Sequence, residues 1–372
     1  MRKLIPEMCK QFKFTWYNVS KQYPFGISQY LKDYNCTILP SGLGNDGVPR
    51  ELPSAIDQAK PDVCFLVDDI QNLAPWGQYL SGQQWMAWFP KDNEEDLAEE
   101  FDVLSRVPYK ITLGKFAQRF YAEKGIPVSR VYNCVDTNIF RPYRQKEIDE
   151  FIDRIGLRKY KDEGNKIILF VGRANWRKNI ECLMGVERLL LDRKVKSKLY
   201  FVTDFSEEPA KYSKLAHALR LDNGEMLKAE GYSWHKGISE KELAMFYNIA
   251  DVYVTTHGGE GMGLPMVEAL ACGKPVVATD YTTTREFVGN DERGFAIPYD
   301  RKIVDQGIPR PLVNIEKFAD KVQYLLENEK TAEQMGINGI SFVERECSLP
   351  VIAKKLGNHI NKFDCKQCFA DD

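Results

Sequence analysis

One glycine-rich segment of the sequence carries residue types that could bind an anion. It contains four closely spaced glycines, Gly258, Gly259, Gly261 and Gly263. The pair Leu264-Pro265 follows, and proline is preferred at the first position of a helix because its missing N–H would have been unpaired there. A helix is therefore predicted to begin directly after the loop. Its free backbone N–H groups and its dipole favour an anion, typically a phosphate.

Two carboxylates frame this predicted anion site. Glu260 lies in the loop, and Glu268 lies about one turn inside the helix. Carboxylates beside a phosphate are electrostatically unfavourable unless they bind something else. Ionised carboxylates only accept hydrogen bonds, so the hydroxyls of a sugar or a ribose are natural partners. The alternative is a tight turn before a helix in which Glu268 is only a favourable acid of the first turn.

Two cations follow an earlier predicted strand and could hold the phosphate. Arg173 and Lys178 lie in VGRANWRKNI, between the strand and a helix. Ligands bind beyond the carboxyl ends of parallel strands, and an arginine fork with a mobile lysine charge suits a diphosphate. Arg177 could share this role. Solvated surface charges are the alternative, although cations at the positive end of a helix dipole oppose that dipole.

The elements that must position these residues alternate between apolar strands and amphipathic helices, which is typical of α/β layers with parallel sheets. In the second half we predict the strands KIILFVGR, KLYFVTD, DVYVTT and PVVAT, and the helices NIECLMGVERLLLD, SEKELAMFYNIA, MVEALA, FADKVQYLLEN and LPVIAKKLGNHINKF. In the first half we predict the strands FKFTWY, CTIL, VCFLVDD, YKITL and SRVYNCV, and the helices ISQYLKDY, EEDLAEEFDVL and KFAQRFYAEKG. Ser239 and Glu242 predict a capping box.

The composition is that of an ordinary globular protein with enough residues, 372, for two domains. A net charge of -2 gives no support to a nucleic-acid binder. The first residues lack the apolar core of a signal peptide, and the longest uncharged run, Ile70 to Pro90, contains too many polar residues for a membrane span. The aromatic residues of that run could anchor the core, line an acceptor pocket or touch a membrane surface.

The cysteines show no framework spacing. There are nine of them, an odd number, which favours reduced thiols in the cytoplasm. Cys365 and Cys368 form one CxxC pair, which is weak evidence for zinc without a second pair or a nearby histidine. A tail with free thiols is the better interpretation.

The segment Glu260-x7-Glu268, with the surrounding GMGLPMVEALACGKPVVATD, resembles the E-x7-E signature of retaining glycosyltransferases of the GT-B fold, family 4 (glycosyl transferases group 1). VGRANWRKNI resembles the phosphate clamp of that family, with Asn179 in place of its last glycine. The resemblance covers roughly residues 61–363. It implies an α/β protein with two Rossmann-like, doubly wound parallel-sheet domains that face each other across a cleft.

The segment VDTNIFRPY resembles the linker between the two domains of this family. We therefore expect an N-terminal acceptor-binding domain over residues 1–140 and a C-terminal nucleotide-sugar-binding domain over residues 141–350. Residues 351–372 are expected to form a helix that packs back on the N-terminal domain, as the resemblance implies.

The resemblance also implies roles for the residues of the site. Glu260, Arg173 and Lys178 are the expected catalytic residues, and Glu268 is expected to hold the ribose. The donor nucleotide sugar is expected to contact Gly172, Gly261, Gly263 and Leu264 as well. Tyr232, at the edge of another predicted strand, could stack on the base of the donor or be a surface tyrosine.

Many members of the family use a histidine of the N-terminal domain near the donor sugar. The histidines of this chain all lie in its C-terminal half, at positions 217, 235, 257 and 359. Asp92, in a segment that resembles a proline-aspartate segment of part of the family, is our substitute candidate. His257 lies near Glu260 and could reach the donor, although a lone loop histidine is more often incidental.

The activity implied is the transfer of a hexose-type sugar, with retention, from a nucleotide-diphosphate donor such as a UDP-sugar or GDP-mannose. The acceptor would be a hydroxyl of a glycan, glycolipid or glycoprotein. We expect no metal, no cofactor and no nucleic-acid partner, and a cytoplasmic protein with contact to a membrane surface as an open alternative. A nucleotide-sugar epimerase, a phosphorylase and a non-catalytic nucleotide-sugar-binding protein are the other candidates.

Overall fold

The computed structural model describes residues 4–17, 36–39, 52–80, 82–206, 208–229, 237–305 and 307–364. The chain divides into two units. Unit 1 comprises Met1–Cys134 and Glu346–Asp372, and unit 2 comprises Val135–Arg345. The domain bounds at residues 140 and 350 stay a prediction.

Within the described residues, the strands follow one another along the chain as β1 Phe14–Tyr17, β2 Cys36–Leu39, β3 Cys64–Val67, β4 Trp85–Phe89, β5 Tyr109–Thr112, β6 Ser129–Arg130, β7 Lys166–Val171, β8 Ser197–Val202, β9 Met226–Lys228, β10 Val252–Thr255, β11 Val276–Thr279, β12 Gly294–Ile297, β13 Tyr299–Asp305 and β14 Ile308–Val313.

The helices of the same residues are α1 Leu4–Met8, α2 Leu52–Ala59, α3 Ile70–Tyr79, α4 Ala98–Arg106, α5 Lys115–Glu123, α6 Gln145–Arg154, α7 Arg158–Asp162, α8 Ile180–Asp192, α9 Pro209–Ala218, α10 Glu240–Ile249, α11 Leu264–Ala271, α12 Thr284–Val288, α13 Ile315–Glu327, α14 Glu329–Glu346 and α15 Leu349–Asp364. A 3₁₀ turn covers Trp176–Lys178.

Unit 1 is built on parallel strands. In its described part, β3, β4, β5 and β6 form a sheet in that order, and β1 pairs with β2. The aromatic residues of β4 belong to the core, because Trp85, Trp88 and Phe89 are buried and the Trp88 indole donates to the carbonyl of Val131 at 2.9 Å. These three side chains therefore anchor the sheet.

Unit 2 contains the larger sheet. Its described strands are all parallel and lie in the order β12-β11-β10-β7-β8-β9. The central strands are continuous apolar runs because helices cover both faces of such a sheet, and Leu169, Val254 and Val277 are accordingly buried. The chain runs outward from β7 to β9 and then returns to β10 on the other side of β7. The strand order therefore reverses between β7 and β10, which is where open α/β sheets bind ligands.

Several predicted elements are confirmed and others are wrong. One of the two bonds of the predicted capping box is confirmed at α10, where the Ser239 hydroxyl accepts from the N–H of Glu242 at 3.2 Å. The uncharged run from Ile70 begins with helix α3. The predicted helix EEDLAEEFDVL is present but begins later than predicted, at Ala98. The predicted strand SRVYNCV shortens to two residues. The helix ISQYLKDY lies outside the described residues, and the antiparallel hairpin β13–β14 was not expected.

No helix in the described part of the chain is both long enough and apolar enough to cross a membrane.

Candidate active site

The turn after β7 and the loop after β10 meet at the point where the strand order reverses. The N–H of Gly258 donates to the carbonyl of Arg177 at 2.6 Å. The side chain of Asn179 donates to the carbonyl of Thr256 at 3.1 Å, and the Thr256 hydroxyl donates back to the carbonyl of Asn179 at 2.7 Å. These bonds join the two segments that carry the predicted cations and the predicted glutamate loop.

Asn179 occupies the position at which the family motif has glycine. Its backbone is left-handed, with φ 47° and ψ 46°. Glycine adopts this conformation readily, and asparagine is one of the few other residues that does so. The departure from the motif therefore keeps the turn, and it adds a side-chain donor that binds the glutamate loop.

Glu260 forms an ion cluster with the buried Lys178 and the half-buried Arg177 of the turn. Its Oε1 accepts from the ammonium of Lys178, and its Oε2 lies 3.3 Å from Nη1 of Arg177. Glu260 and Lys178 are each only 8% exposed. Burial by itself would raise the pKa of Glu260, but the charges of Lys178 and Arg177 outweigh it and lower the pKa to about 2. Glu260 is therefore ionised at neutral pH.

Threonines after β11 fix the backbone of Glu260. The Thr282 hydroxyl accepts from the N–H of Glu260 at 3.0 Å and donates to its carbonyl at 3.0 Å. The Thr283 hydroxyl donates to the same carbonyl at 3.2 Å. Sequence analysis missed these residues, and the run of three threonines after a predicted strand was the signal that could have indicated them.

His257 lies inside the loop. It is fully buried, its Nδ1 accepts from the N–H of Gly259 at 3.1 Å, and its Nε2 lies 3.0 Å from the Thr284 hydroxyl. Because Nδ1 accepts, the neutral ring carries its proton on Nε2. Both nitrogens thus have partners that shape the loop.

Helix α11 begins as the sequence predicts. Gly263 precedes it with φ +76°, a conformation that strains residues with a side chain, and Pro265 stands in the first turn. Gly261 is buried and Leu264 is half-buried at the first helical position. Pro265 has no N–H and Met266 donates its own to the carbonyl of Gly263 at 2.9 Å, so the N–H of Leu264 is the donor of this first turn that an anion would use.

Glu268 is half-buried on α11, and Tyr247 of α10 donates its hydroxyl to it at 2.7 Å. Burial raises the pKa of Glu268 to about 7, although the bond from Tyr247 opposes this shift. Tyr247 was not found from the sequence. It orients the carboxylate and leaves acceptor positions for further hydroxyls, because a carboxylate accepts about four hydrogen bonds.

Arg173 and Gly172 follow β7 directly. Arg173 is exposed. At Gly172, an added Cβ would lie 3.7 Å from Cε of Lys178 and 3.2 Å from the ring of Phe170. An added side chain would therefore crowd the ring of Phe170, whereas 3.7 Å to the lysine stem is an ordinary contact. Lys178 with Arg177, rather than Arg173, forms the ion cluster with Glu260.

Asp92 belongs to unit 1, whereas the residues above belong to unit 2. It follows β4, is half-buried and accepts from the side chain of Asn93 at 3.2 Å. The buried ammonium of Lys91 anchors this segment by donating to Asn93 at 2.9 Å, to the carbonyl of Glu95 at 2.8 Å and to Glu100 at 2.7 Å. The role of Asp92 stays a prediction.

Two further expectations stay open. Tyr232 lies outside the described residues. Within the ranges that the structure describes, no group of three or more His, Cys, Asp or Glu side chains is placed to hold a metal ion. Independence of metal stays a prediction.

The fold and the site define a Rossmann-like α/β protein with a charged loop at the reversal point of its larger sheet. Residues 156–342, half of the chain, match the family model described as Glycosyl transferases group 1. The chain belongs to this family. The match contains the whole of the ion cluster and helix α11.

Comparisons with individual proteins agree with the family. The chain is 26% identical over 205 residues to the putative glycosyltransferase EpsD of Bacillus subtilis, a match that covers 55% of this chain and 47% of that protein. The chain spans less than half of the length of the curated relatives that it matches.

Two solved structures share the fold. Sucrose-phosphate synthase from Thermosynechococcus elongatus superposes with a TM-score of 0.76 at 17% identity, over 97% of this chain and 91% of that one. HepE of Anabaena, solved with UDP and glucose, has a TM-score of 0.75 at 13% identity, over 97% of this chain and 95% of that one. The predicted fold class, GT-B with two parallel-sheet α/β domains, is confirmed.

Proposed function

We propose that the protein is a retaining glycosyltransferase of family 4 that moves a hexose-type sugar from a nucleotide-diphosphate donor to a hydroxyl acceptor. The observation that carries the proposal is the ion cluster of the buried Glu260 and Lys178 with the half-buried Arg177, at the carboxyl ends of β7 and β10. A cluster of this kind beside a helix N-terminus suits a ligand that contains both a diphosphate and a sugar.

The diphosphate is the part of the donor that the cations would bind. Lys178 and Arg177 lie at the reversal point of the sheet, and the exposed Arg173 precedes them in the same turn. The N–H of Leu264 at the start of α11 would supply a further donor. Glu268 would accept from the ribose hydroxyls, with Tyr247 holding it in place. The donor therefore spans two helix-and-loop segments of unit 2.

The roles of Glu260 and the two cations follow from the charges that develop on the sugar and on the leaving group. Breaking the bond between sugar and phosphate makes an oxocarbenium-like sugar and a leaving group with added negative charge. Positioned cations stabilise that leaving group, which is the larger part of catalysis in such sites. Glu260, with a pKa lowered to about 2, is ionised and cannot serve as a general acid at neutral pH. We assign it to the positive charge that develops on the sugar.

The acceptor must lose a proton during transfer. In the mechanism that we propose, an oxygen of the leaving phosphate takes the proton from the acceptor hydroxyl on the same face of the sugar. The configuration of the anomeric carbon is then retained. No ionisable side chain is needed as a base, and no metal is invoked.

A UDP-sugar is the first donor to test, because HepE was solved with UDP and glucose, and GDP-mannose is the second. For the acceptor we propose a hydroxyl of a glycan, glycolipid or glycoprotein. Asp92 is our candidate for a contact with the acceptor or with the donor sugar, and contact with a membrane surface stays a prediction.

The test begins with thermal unfolding in the presence of UDP-glucose, GDP-mannose, UDP and GDP. A ligand at a hundred times its dissociation constant adds roughly 2.7 kcal/mol to the free energy of unfolding. The nucleotide sugar that stabilises the protein is then incubated with it, without and with candidate acceptors, and the products are separated.

Release of the nucleoside diphosphate together with a glycosylated acceptor of unchanged anomeric configuration is the expected result. Conversion of the nucleotide sugar to an isomer without any acceptor would identify an epimerase and overturn the proposal. Stabilisation without turnover under any acceptor condition would identify a binding protein instead.

A further inference from the structure

The hairpin β13–β14 reaches the loop that carries Glu260. Arg310 of β14 is only 5% exposed, and its Nη1 donates to the carbonyl of Gly258 at 3.0 Å. Gly258 lies two residues before Glu260 in the glycine-rich loop. A charged donor makes this a stronger hydrogen bond than a neutral one.

The same strand also contacts the turn that carries Lys178. Asn179 donates to the carbonyl of Pro311 at 3.2 Å and to that of Thr256 at 3.1 Å. The guanidinium of Arg310 lies 5.5 Å from the centre of the Trp176 ring. Strand β14 therefore contacts the turn and the loop that together form the ion cluster.

The packing at Gly258 leaves little room. A Cβ added to Gly258 would lie 3.2 Å from Cβ of Arg310 and 3.4 Å from the carbonyl oxygen of Arg177. Three segments that are far apart in sequence thus converge on this one glycine. A substitution at either Gly258 or Arg310 disturbs the same contact.

We propose that Arg310 is a positioning residue for the glycosyl transfer, acting through the carbonyl of Gly258 to hold Glu260 in place. The inference rests on the proposed function. A glycine-rich loop has wide conformational freedom, and in the free protein the bond between Glu260 and Lys178 helps to restrain it. When a diphosphate binds the ammonium of Lys178, the bond between Lys178 and Glu260 weakens. The contact with Arg310 remains and keeps the carboxylate aligned with the sugar.

The experiment compares Arg310→Met, Arg310→Lys and a matched control, Arg301→Met. Methionine keeps an unbranched stem and removes every hydrogen-bond donor, whereas lysine keeps a charged donor. Arg301 lies on β13 of the same hairpin and is exposed. Three quantities are measured for each protein: hydrogen exchange of peptides covering residues 256–263, the dissociation constant and stoichiometry of UDP, and turnover of UDP-glucose, or of GDP-mannose if it stabilises the protein more.

In Arg310→Met, we expect faster exchange of the loop and a fall in turnover of tenfold to roughly a hundredfold, the scale of a small misplacement of a catalytic group. The dissociation constant of UDP should change by less than about threefold, because Arg310→Met keeps the charge of Glu260 and UDP lacks the transferred hexose that Glu260 would contact. Arg310→Lys should recover part of the turnover, and Arg301→Met should match the wild type in all three measurements.

Unchanged loop exchange and turnover in Arg310→Met would overturn the inference. So would a loss of turnover matched by an equal loss of UDP stoichiometry, because that is the result of partial unfolding. If Arg310→Met does not fold, Gly258→Ala perturbs the contact from the other side, and it must show the same split between turnover and UDP affinity. A wild-type protein without nucleotide binding or turnover would instead refute the proposed function.

Discussion

Replacing Glu260 by glutamine removes one negative charge from a buried site that holds two cations. The pKa of Glu260 is lowered from 4.5 to about 2 despite burial. The surroundings therefore favour the ionised carboxylate, by roughly 3 kcal/mol. Lys178 and Arg177 supply this stabilisation, and a bound diphosphate must compete for the same two charges.

The repulsion between Glu260 and a bound diphosphate can be calculated from Coulomb's law. Two like charges about 8 Å apart repel each other by about 2 kcal/mol at an effective dielectric constant of 20. Partial screening lowers this value. We therefore expect Glu260→Gln to bind UDP about tenfold more tightly than the wild type, which corresponds to about 1.4 kcal/mol. Turnover of the donor should fall in the same variant by a factor on the order of a hundred or more, since the charge that stabilises the sugar is lost.

The assay is a calorimetric titration with UDP at constant pH and salt, beside rates with the intact donor. Glu333→Gln is the control, because it changes the net charge equally at an exposed position of α14. Unchanged or weaker binding of UDP by Glu260→Gln would refute the reasoning, since it would mean that the diphosphate does not use Lys178 and Arg177. A full rate in the variant would remove Glu260 from the chemistry.

Three further predictions concern single side chains. Lys178→Met should weaken UDP binding and lower turnover by a factor on the order of a hundred or more; normal turnover would contradict the phosphate role. Glu268→Gln should weaken UDP binding by roughly 1–3 kcal/mol. Because the pKa of Glu268 is raised to about 7, its carboxylate ionises as the pH rises from 6 to 8, and the wild type should gain UDP affinity over the variant in that range. A difference in UDP affinity that stays constant from pH 6 to 8 would contradict this role of Glu268. Glu187 is 1% exposed and burial raises its pKa from 4.5 to about 7, so the native state binds the extra proton and stability should fall as the pH rises from 4.5 to 7. Unfolding curves at pH 8 should show Glu187→Gln more stable than the wild type by about 3 kcal/mol, and equal stability at that pH would show that the buried carboxylate carries no such cost.

The loop, helix α11 and strand β11 could be predicted because their signals are local. Glycines, a first-turn proline and a β-branched run each act within a few residues. The partners of Glu260 could not be predicted in the same way. Lys178 lies 82 residues before it, and Thr282 reaches it from the turn after β11. Only the strand order brings these segments together, and that order depends on the packing of the whole sheet.

The hairpin was missed for a different reason. Strand β14 contains Pro309 and Pro311, and proline within an apolar run argues against a strand because it cannot donate to the ladder. In a hairpin of two strands each residue needs a partner on one side only, so prolines are tolerated where their nitrogens face away. Gly307 at the turn, with φ +79°, was the remaining local signal.

The ion cluster links the stability of the free loop to the proposed reaction. In the free protein Glu260 satisfies Lys178 and Arg177, since an unpaired buried charge would cost several kcal/mol. A donor brings a diphosphate for the cations and, in the transition state, a positive sugar for Glu260. Lys178 and Arg177 then pair with the diphosphate instead of Glu260, and Glu260 pairs with the sugar instead of the two cations. Each buried charge thus keeps a partner of opposite sign. This exchange requires the carboxylate to keep its position while its partners change, and the contact between Arg310 and Gly258 does not depend on either partner.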